Sequence, residues 1–242
     1  MKITTLFEND DFIIVDKPAG LLTIQDRYDA TKPFLLRELR KKYEDILVVH
    51  RIDKETSGCI CFAKNEASHK YLSELFFSRA VNKTYVALVK GVVKKDQETI
   101  NVPIIQDKNR KGRMTCDEKG KKAISHYKVL ERFQSCTLVE VNIETGRTHQ
   151  IRVHLKHLHH PLLIDKKYGS EEPFMLSKLK GKKYRHARFK EERPLMSRLT
   201  LHAHSISFKT KSGKIITAEA SLPKDFKAVL NQLRKLSSIS ID

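Results

Sequence analysis

Between the apolar runs Ile46-Leu47-Val48-Val49 and Cys59-Ile60-Cys61-Phe62-Ala63 the chain carries His50-Arg51-Ile52-Asp53-Lys54-Glu55-Thr56-Ser57-Gly58. Both flanks read as short buried strands. Ionised groups are costly in such surroundings unless they are paired or used. Arg51 and Asp53 therefore mark a site, with Asp53 as a candidate nucleophile. Residues i and i+2 of an extended segment project to the same side, so a plain salt bridge between the two is the competing reading. Lys54, Glu55 and Thr56-Ser57-Gly58 read as the turn that closes the run.

A second group is Gly146-Arg147-Thr148-His149-Gln150-Ile151-Arg152-Val153-His154. Gly146 breaks the preceding pattern, and Thr148 is expected to cap a helix running to about His159. Arg147 and Arg152, five residues apart, leave that helix in different directions. One is then available to an active site while the other contacts phosphate or packs. Tyr85, in Thr84-Tyr85-Val86-Ala87-Leu88-Val89, is a core residue unless its strand lines the same cleft as Asp53, where a ring can stack on a base. His154, His157, His159 and His160 invite a metal reading, but no H-E-x-x-H and no carboxylate at metalloprotease spacing accompanies them, so they read as surface or packing histidines.

The elements that must position these residues are legible in part. Asp11 to Val15 reads as a strand before the turn Lys17-Pro18-Ala19-Gly20, and Leu35 to Tyr43 as a short basic helix. Asn65 is a helix cap, followed by an apolar face of Tyr71, Leu72, Leu75 and Phe76 to about Ser78. Residues 94–122 are polar and irregular, suggesting loops or a ribbon. Ala123 to Phe133 and Thr137 to Ile143 read as paired strands, Thr200 to Phe208 and Lys214 to Ala220 as a hairpin around Ser212-Gly213. Phe226, Val229, Leu230 and Leu233 share one face of a final helix.

Bulk properties narrow the partners. The chain has 242 residues, 47 Lys and Arg against 29 Asp and Glu, and a formal net charge of +18. That excess points to nucleic acid. No stretch reaches the roughly 18 apolar residues of a membrane helix, and the N-terminus lacks a signal peptide's apolar core. Cys59, Cys61, Cys116 and Cys136 contain no C-x-x-C; they read as small buried side chains in a reducing cytoplasm, with Cys59 and Cys61 facing one way. There is no G-x-G-x-x-G, G-x-x-x-x-G-K-[ST] or G-x-S-x-G, which removes the main support for a dinucleotide enzyme, a P-loop ATPase or an esterase. Lys178 to Arg193 is dense in Lys and Arg with Tyr184 and Phe189 interleaved. It reads as an RNA-contacting insertion or as a solvated loop.

Taken together, the segments from about Leu6 to Phe226 resemble the RluA-type family of RNA pseudouridine synthases. His50 to Gly58 is similar to that family's H-R-L-D-x-x-T-S-G, with Ile52 in place of leucine. Asp16 to Leu21 resembles N-K-P-x-G, and Lys83 to Gly91 resembles K-x-Y-x-A-L-V-x-G. Gly146 to His154 matches G-R-T-H-Q-I-R-V-H without a change, and Leu201-His202-Ala203 matches L-H-A. Ile164-Asp165-Lys166-Lys167-Tyr168-Gly169 resembles G-D-x-x-Y-G, with Ile164 for the first glycine.

The resemblance implies isomerisation of uridine in structured ribosomal or transfer RNA: the C1′–N1 bond breaks, the base turns, and C1′ rejoins at C5. Asp53 would be the nucleophile, Tyr85 would pack on the flipped uracil, Arg147 would pair with and orient Asp53, and Arg51 would take the base's place in the stack. His50, Thr56, Arg152, Lys182, Lys183 and Arg185 are the further substrate-binding candidates. No cofactor or metal is implied, and the protein is expected to be a cytoplasmic monomer. The implied architecture is one α+β catalytic domain over 1–242, with a mixed, largely antiparallel sheet in two halves flanking a cleft. No S4-type domain is expected before it, and a basic insertion is expected at about 170–198. The rivals are an RNA-binding protein that has lost its chemistry and a different nucleic-acid enzyme, such as a metal-dependent nuclease, for which the carboxylate cluster is not evident.

Overall fold

The computed structural model describes residues 3–184 and 191–237, with the side chain of Lys183 excepted. In chain order it has β1 (Thr4–Glu8), β2 (Phe12–Lys17), α1 (Leu35–Arg40), β3 (Leu47–Val48), β4 (Ser57–Ala63), α2 (Glu66–Phe77), β5 (Asn82–Lys90), β6 (Gln97–Asn101), β7 (Ile104–Gln106) and β8 (Met114–Cys116). Then follow β9 (Ile124–Arg132), β10 (Cys136–Ile143), α3 (Gln150–His157), α4 (Leu176–Lys180), β11 (Leu201–Lys209), β12 (Ile215–Glu219) and α5 (Lys224–Leu236). Two units are distinguished: residues up to 86 with 142–148 and 201–221, and residues 87–141 with 149–200 and those from 222.

In the first unit the strand order is β1-β2-β4-β11 and then the first half of β5, with β3 on β4 and β12 on β11. β4 is buried along its whole length. Such a strand must read as a continuous apolar run, which Cys59 to Ala63 does. It pairs antiparallel with β2, Ile14 opposite Cys61 and Val15 opposite Ile60. It pairs parallel with β11, His202 opposite Ser57 and Ala203 opposite Gly58. The sheet is thus mixed and largely antiparallel, as expected. Cys59, Cys61 and Ala63 share one core cluster with Phe12, Ile14, Phe208 and Leu72, which confirms that Cys59 and Cys61 face one way. α2 covers this face. The Asn65 side chain accepts from the Ser68 N–H at 2.8 Å, the expected cap, and Tyr71, Leu75 and Phe76 pack beside buried Leu72. Arg79 ends the helix in a left-handed conformation, φ 63°, turning the chain toward β5.

The last core device of this unit is His202, fully buried. Its Nε2 donates to the Ala220 carbonyl at 3.0 Å, so Nδ1 is left to accept from the Ser57 hydroxyl at 2.9 Å. The residue is a bolt between β4, β11 and the end of the β11–β12 hairpin.

In the second unit the second half of β5 is followed by β10, β9 and β6. The expected pairing of 123–133 with 137–143 is present. The polar stretch 94–122 supplies β6 and the β7–β8 hairpin, where the sequence suggested loops or a ribbon. Of β6 only Ile100 is buried, the pattern of an edge strand with little apolar signature. β1 was not expected for the same reason. α3 begins one residue later than expected: His149, not Thr148, is its N-cap, held left-handed at φ 56° without a side-chain cap bond. The replacement of glycine by Ile164 is accommodated, because the turn is organised by Asp165. One carboxylate oxygen of Asp165 accepts from the N–H groups of Lys167 and Tyr168 at 2.9 and 3.2 Å, while Ile164 is buried. α5 buries Phe226, Val229, Leu230 and Leu233, the expected face.

Candidate active site

Residues 49–56 form an irregular link between β3 and β4, held around Asp53 by a turn of its own and by bonds from other segments. The Cys61 N–H donates to His50 Nε2 at 3.0 Å. Thr23 Oγ1 donates to the Ile52 carbonyl at 3.1 Å. The Thr56 N–H closes a turn on the Asp53 carbonyl at 3.1 Å. The Lys54 carbonyl accepts both the Gly20 N–H at 2.9 Å and Lys17 Nζ at 3.0 Å. Ile52 is buried beneath the link, so the isoleucine performs the apolar anchoring expected of leucine.

Lys17 was not singled out by the sequence reading. It is fully buried, and its ammonium also donates to the carbonyls of Pro18 and Leu21 at 3.0 and 2.7 Å. The signal that could have found it is a lysine closing the apolar run Phe12-Ile13-Ile14-Val15. Lys17→Met keeps the stem and removes the donors, leaving several carbonyls unsatisfied. It is expected to cost about 3 kcal/mol or more, read as a lower urea midpoint, with a loss of activity that exceeds the unfolded fraction because the Lys54 peptide loses its anchor.

Above this link lies an open basin of about 930 Å³, lined among others by His50, Arg51, Asp53, Phe77, Lys83, Tyr85, Glu144 and Arg147. All of these belong to the first unit. Asp53 is half-buried and Arg51 exposed. Among the described residues Arg51 makes no ion pair, so the salt-bridge reading of Arg51 and Asp53 fails. The i, i+2 argument presupposed an extended strand, and the segment is a looped link.

The cations Arg51, Arg79, Lys83 and Arg147 outnumber the carboxylates Asp53 and Glu144 on the basin wall. Burial, reinforced by Arg79, lowers the Lys83 ammonium from its usual range. Tyr85 is buried, and desolvation followed by the Asp53 carboxylate holds its phenol well above the ordinary value. It stays protonated, suited to packing and donation rather than to taking up a proton. Burial and then the Lys83 charge push His50 down to about 3. Its ring is therefore neutral and stacks on Phe76 at 4.4 Å between centroids.

The tertiary structure thus brings together Asp53, Arg51, Tyr85, Arg147 and His50 from separate segments. Other expected contacts lie elsewhere. Thr56 is buried and does not line the basin. Arg152 is a correction: it is buried in the second unit and grips Asp165 through Nε at 2.8 Å and a terminal nitrogen at 2.7 Å. A bidentate pair of this kind spends the fork on the fold, and Arg152 does not line the basin. His154 likewise packs, bonded to Ser125 Oγ and the Val102 carbonyl. Lys182 is exposed, while the Lys183 side chain and Arg185 lie outside the described residues. Phe77 was missed altogether. It lies off the apolar stripe of α2 and is 89% exposed on the basin rim; an aromatic residue out of phase with its helix was the available signal.

Residues 11–157 match the family model described as RNA pseudouridylate synthase. The chain is 35% identical over 245 residues to a Bacillus subtilis protein named RNA pseudouridine synthase YlyB, covering 97% of this chain and 74% of that one. It is 34% identical over 247 residues to ribosomal large subunit pseudouridine synthase D of Buchnera aphidicola, covering 96% and 74%. Among solved structures it resembles human RNA pseudouridylate synthase domain containing 4, with a TM-score of 0.72, 25% identity, and 96% and 93% of the two chains covered. A chain with this match over more than half its length, and this fold, belongs to the RNA pseudouridine synthase family of isomerases.

Proposed function

We propose that the Asp53 basin is where a uridine of ribosomal RNA is isomerised. The observation that carries this reading is that Arg51, Asp53, Tyr85 and Arg147, distant in sequence, line one cation-rich concavity. Asp53 serves as the nucleophile toward the nucleoside. The C1′–N1 bond breaks, the uracil turns, C1′ bonds to C5, and the C5 hydrogen leaves as a proton while N1 gains one, so the product is an isomer of the substrate. The uracil must leave the helix to reach a recessed carboxylate, at a penalty of about a few kcal/mol. Arg51, exposed and uncommitted to Asp53, fills the vacated stack. Protonated Tyr85 packs on the flipped base, and Arg147, at the entry to α3, keeps Asp53 ionised and oriented. Large-subunit RNA is favoured because relatives such as the Buchnera aphidicola protein are named for it; transfer RNA is the alternative.

The family match spans sequence from both units, which supports reading the chain as one catalytic domain. Among the described residues no helix is long and apolar enough to cross a membrane; with free Cys59, Cys61 and Cys136 buried, we place the enzyme in the cytoplasm.

The test is tritium release from RNA labelled at uridine C5, with carbodiimide mapping of total RNA from cells with and without the gene. Release together with one lost site in large-subunit RNA is the expected result; a lost site in transfer RNA would replace the substrate. No release and no lost site would end the reading.

Phe77 offers a ring at the basin rim that stabilises nothing in the free protein. Phe77→Ala is expected to leave the melting temperature unchanged and to weaken RNA binding by about 1–3 kcal/mol, the worth of one stacked base, measured by filter binding.

A further inference from the structure

The second unit carries another concavity, of about 480 Å³, that shares no lining residue with the Asp53 basin. Its walls are the β7–β8 hairpin and the C-terminal end of α3. The hairpin contributes Arg110 and Arg113, and α3 and the residues after it contribute Lys156, His157 and His159. Arg110, Lys156, His157 and His159 are exposed, and Arg113 is half-buried. Among the described residues Arg110 and Arg113 make no ion pair, and the Lys156 ammonium has only the Tyr168 ring, 5.9 Å from its centroid. The one carboxylate on the wall, Asp107, is engaged with the Asn109 N–H at 2.9 Å. Elsewhere on the same unit three arginines are matched: Arg132 with Asp96, Arg198 with Asp225 and Arg234 with Glu131. Here they converge without partners, at a cost in mutual repulsion that a bound polyanion would remove.

The hairpin is held in place rather than draped. The Tyr168 hydroxyl accepts the Met114 N–H at 2.7 Å, which directs its own proton to His149 Nδ1 at 2.8 Å. Lys167 Nζ donates to the Gly112 carbonyl at 3.0 Å. Ile104 and Val153 pack with Tyr168 beneath. A fixed concave array of arginine forks and a lysine suits oxygens repeated along a backbone, which are recognised by charge and spacing and not by base identity.

We infer that this basin, built by the β7–β8 hairpin and the end of α3, is a second RNA-binding surface that grips the phosphate backbone of the substrate. The inference rests on the RNA-modifying reading but concerns residues that do not line the Asp53 basin. It assigns affinity and substrate choice to the hairpin and leaves chemistry to Asp53.

The test is filter binding of an in vitro transcript of bacterial large-subunit ribosomal RNA across KCl from about 0.05 to about 0.3 M. Four proteins are compared: wild type, Arg110→Ala/Arg113→Ala/Lys156→Ala, a charge-keeping version of that triple variant, and the equal-charge control Lys70→Ala/Lys128→Ala/Lys227→Ala, whose lysines are exposed and lie outside the basin. The basin variant is expected to lose about 2 to 3 from the slope of log affinity on log salt, near 1 per contact, and to show a raised KM with unchanged kcat. The control is expected to lose less than half of that. Arg110→Lys/Arg113→Lys/Lys156→Arg is expected to recover most of the slope. Equal slopes for the two alanine variants overturn the proposal, as does an unchanged slope accompanied by binding of free inorganic phosphate in the basin, which would make it a small-anion site. Because the slope is read without catalysis, a basin variant with wild-type slope in a protein that forms pseudouridine rejects the basin and leaves the activity standing. Failure of the wild type to form pseudouridine rejects the reading beneath it.

Discussion

Asp53→Asn is expected to lower tritium release from C5-labelled RNA by at least about a thousandfold, equivalent to about 4 kcal/mol of barrier, while RNA affinity and melting temperature stay near wild type. The substitution preserves size and removes the charge that attacks. Stability is expected to hold because the link is fixed through its backbone: the Asp53 carbonyl to the Thr56 N–H, the Ile52 carbonyl to Thr23, and the Lys54 carbonyl to Gly20 and Lys17. Affinity is expected to hold because the basin's cations are untouched. Activity near wild type would remove Asp53 from the chemistry. Lost binding together with lost activity would recast it as a residue that organises the basin.

The second large effect is on the fold. Gly58→Ala is expected to destabilise the protein by about 4 kcal/mol or more and to lower the melting temperature by about 10 °C or more. Gly58 sits at φ 112°, and a Cβ there would stand 2.1 Å from the Ala203 carbonyl oxygen. That oxygen belongs to β11, which runs parallel to β4 at this point, so relief requires the two central strands to part. Gly20 separates the two contributions. It also has a positive φ, 83°, but a Cβ there meets nothing within 4 Å. Gly20→Ala is expected to cost only the backbone strain, about 1–2 kcal/mol. Thermal melts followed by circular dichroism decide it: equal losses for the two variants would show that conformation, and not strand contact, makes Gly58 necessary.

The glycine ending the Thr56-Ser57-Gly58 run illustrates what sequence and structure each contribute. A turn residue was legible from composition. That it is required by a parallel neighbour 145 residues away, the Ala203 carbonyl of β11, was not. The same holds for Lys17, which reads only as the first residue of a turn until the carbonyls it satisfies are seen together. Arg152 is the converse case. Its place in an arginine-rich motif suggested substrate, yet its charge is consumed by Asp165, which the sequence places in another segment.

By itself the sequence determined the elements whose burial leaves an apolar pattern: β2, β4 and β5 as nearly continuous runs, with β9, β10, the β11–β12 hairpin, and the faces of α2 and α5. Side-chain pattern and core are one fact there, because burying a strand or helix face demands apolar residues at its period. It also determined the basic character and, through ordered motifs, the family. Only the tertiary structure decided where charges end up. Edge strands β1 and β6 bury too little to leave a pattern. The start of α3 is set by a left-handed His149 and not by a capping threonine. Arg51 is released from Asp53 because the link between β3 and β4 is looped, and the unpaired cations of the β7–β8 hairpin become a site only when α3 is folded against them. Local residue types specify local conformation, but the partner of an ion or a carbonyl is chosen by distant segments brought within a few ångströms.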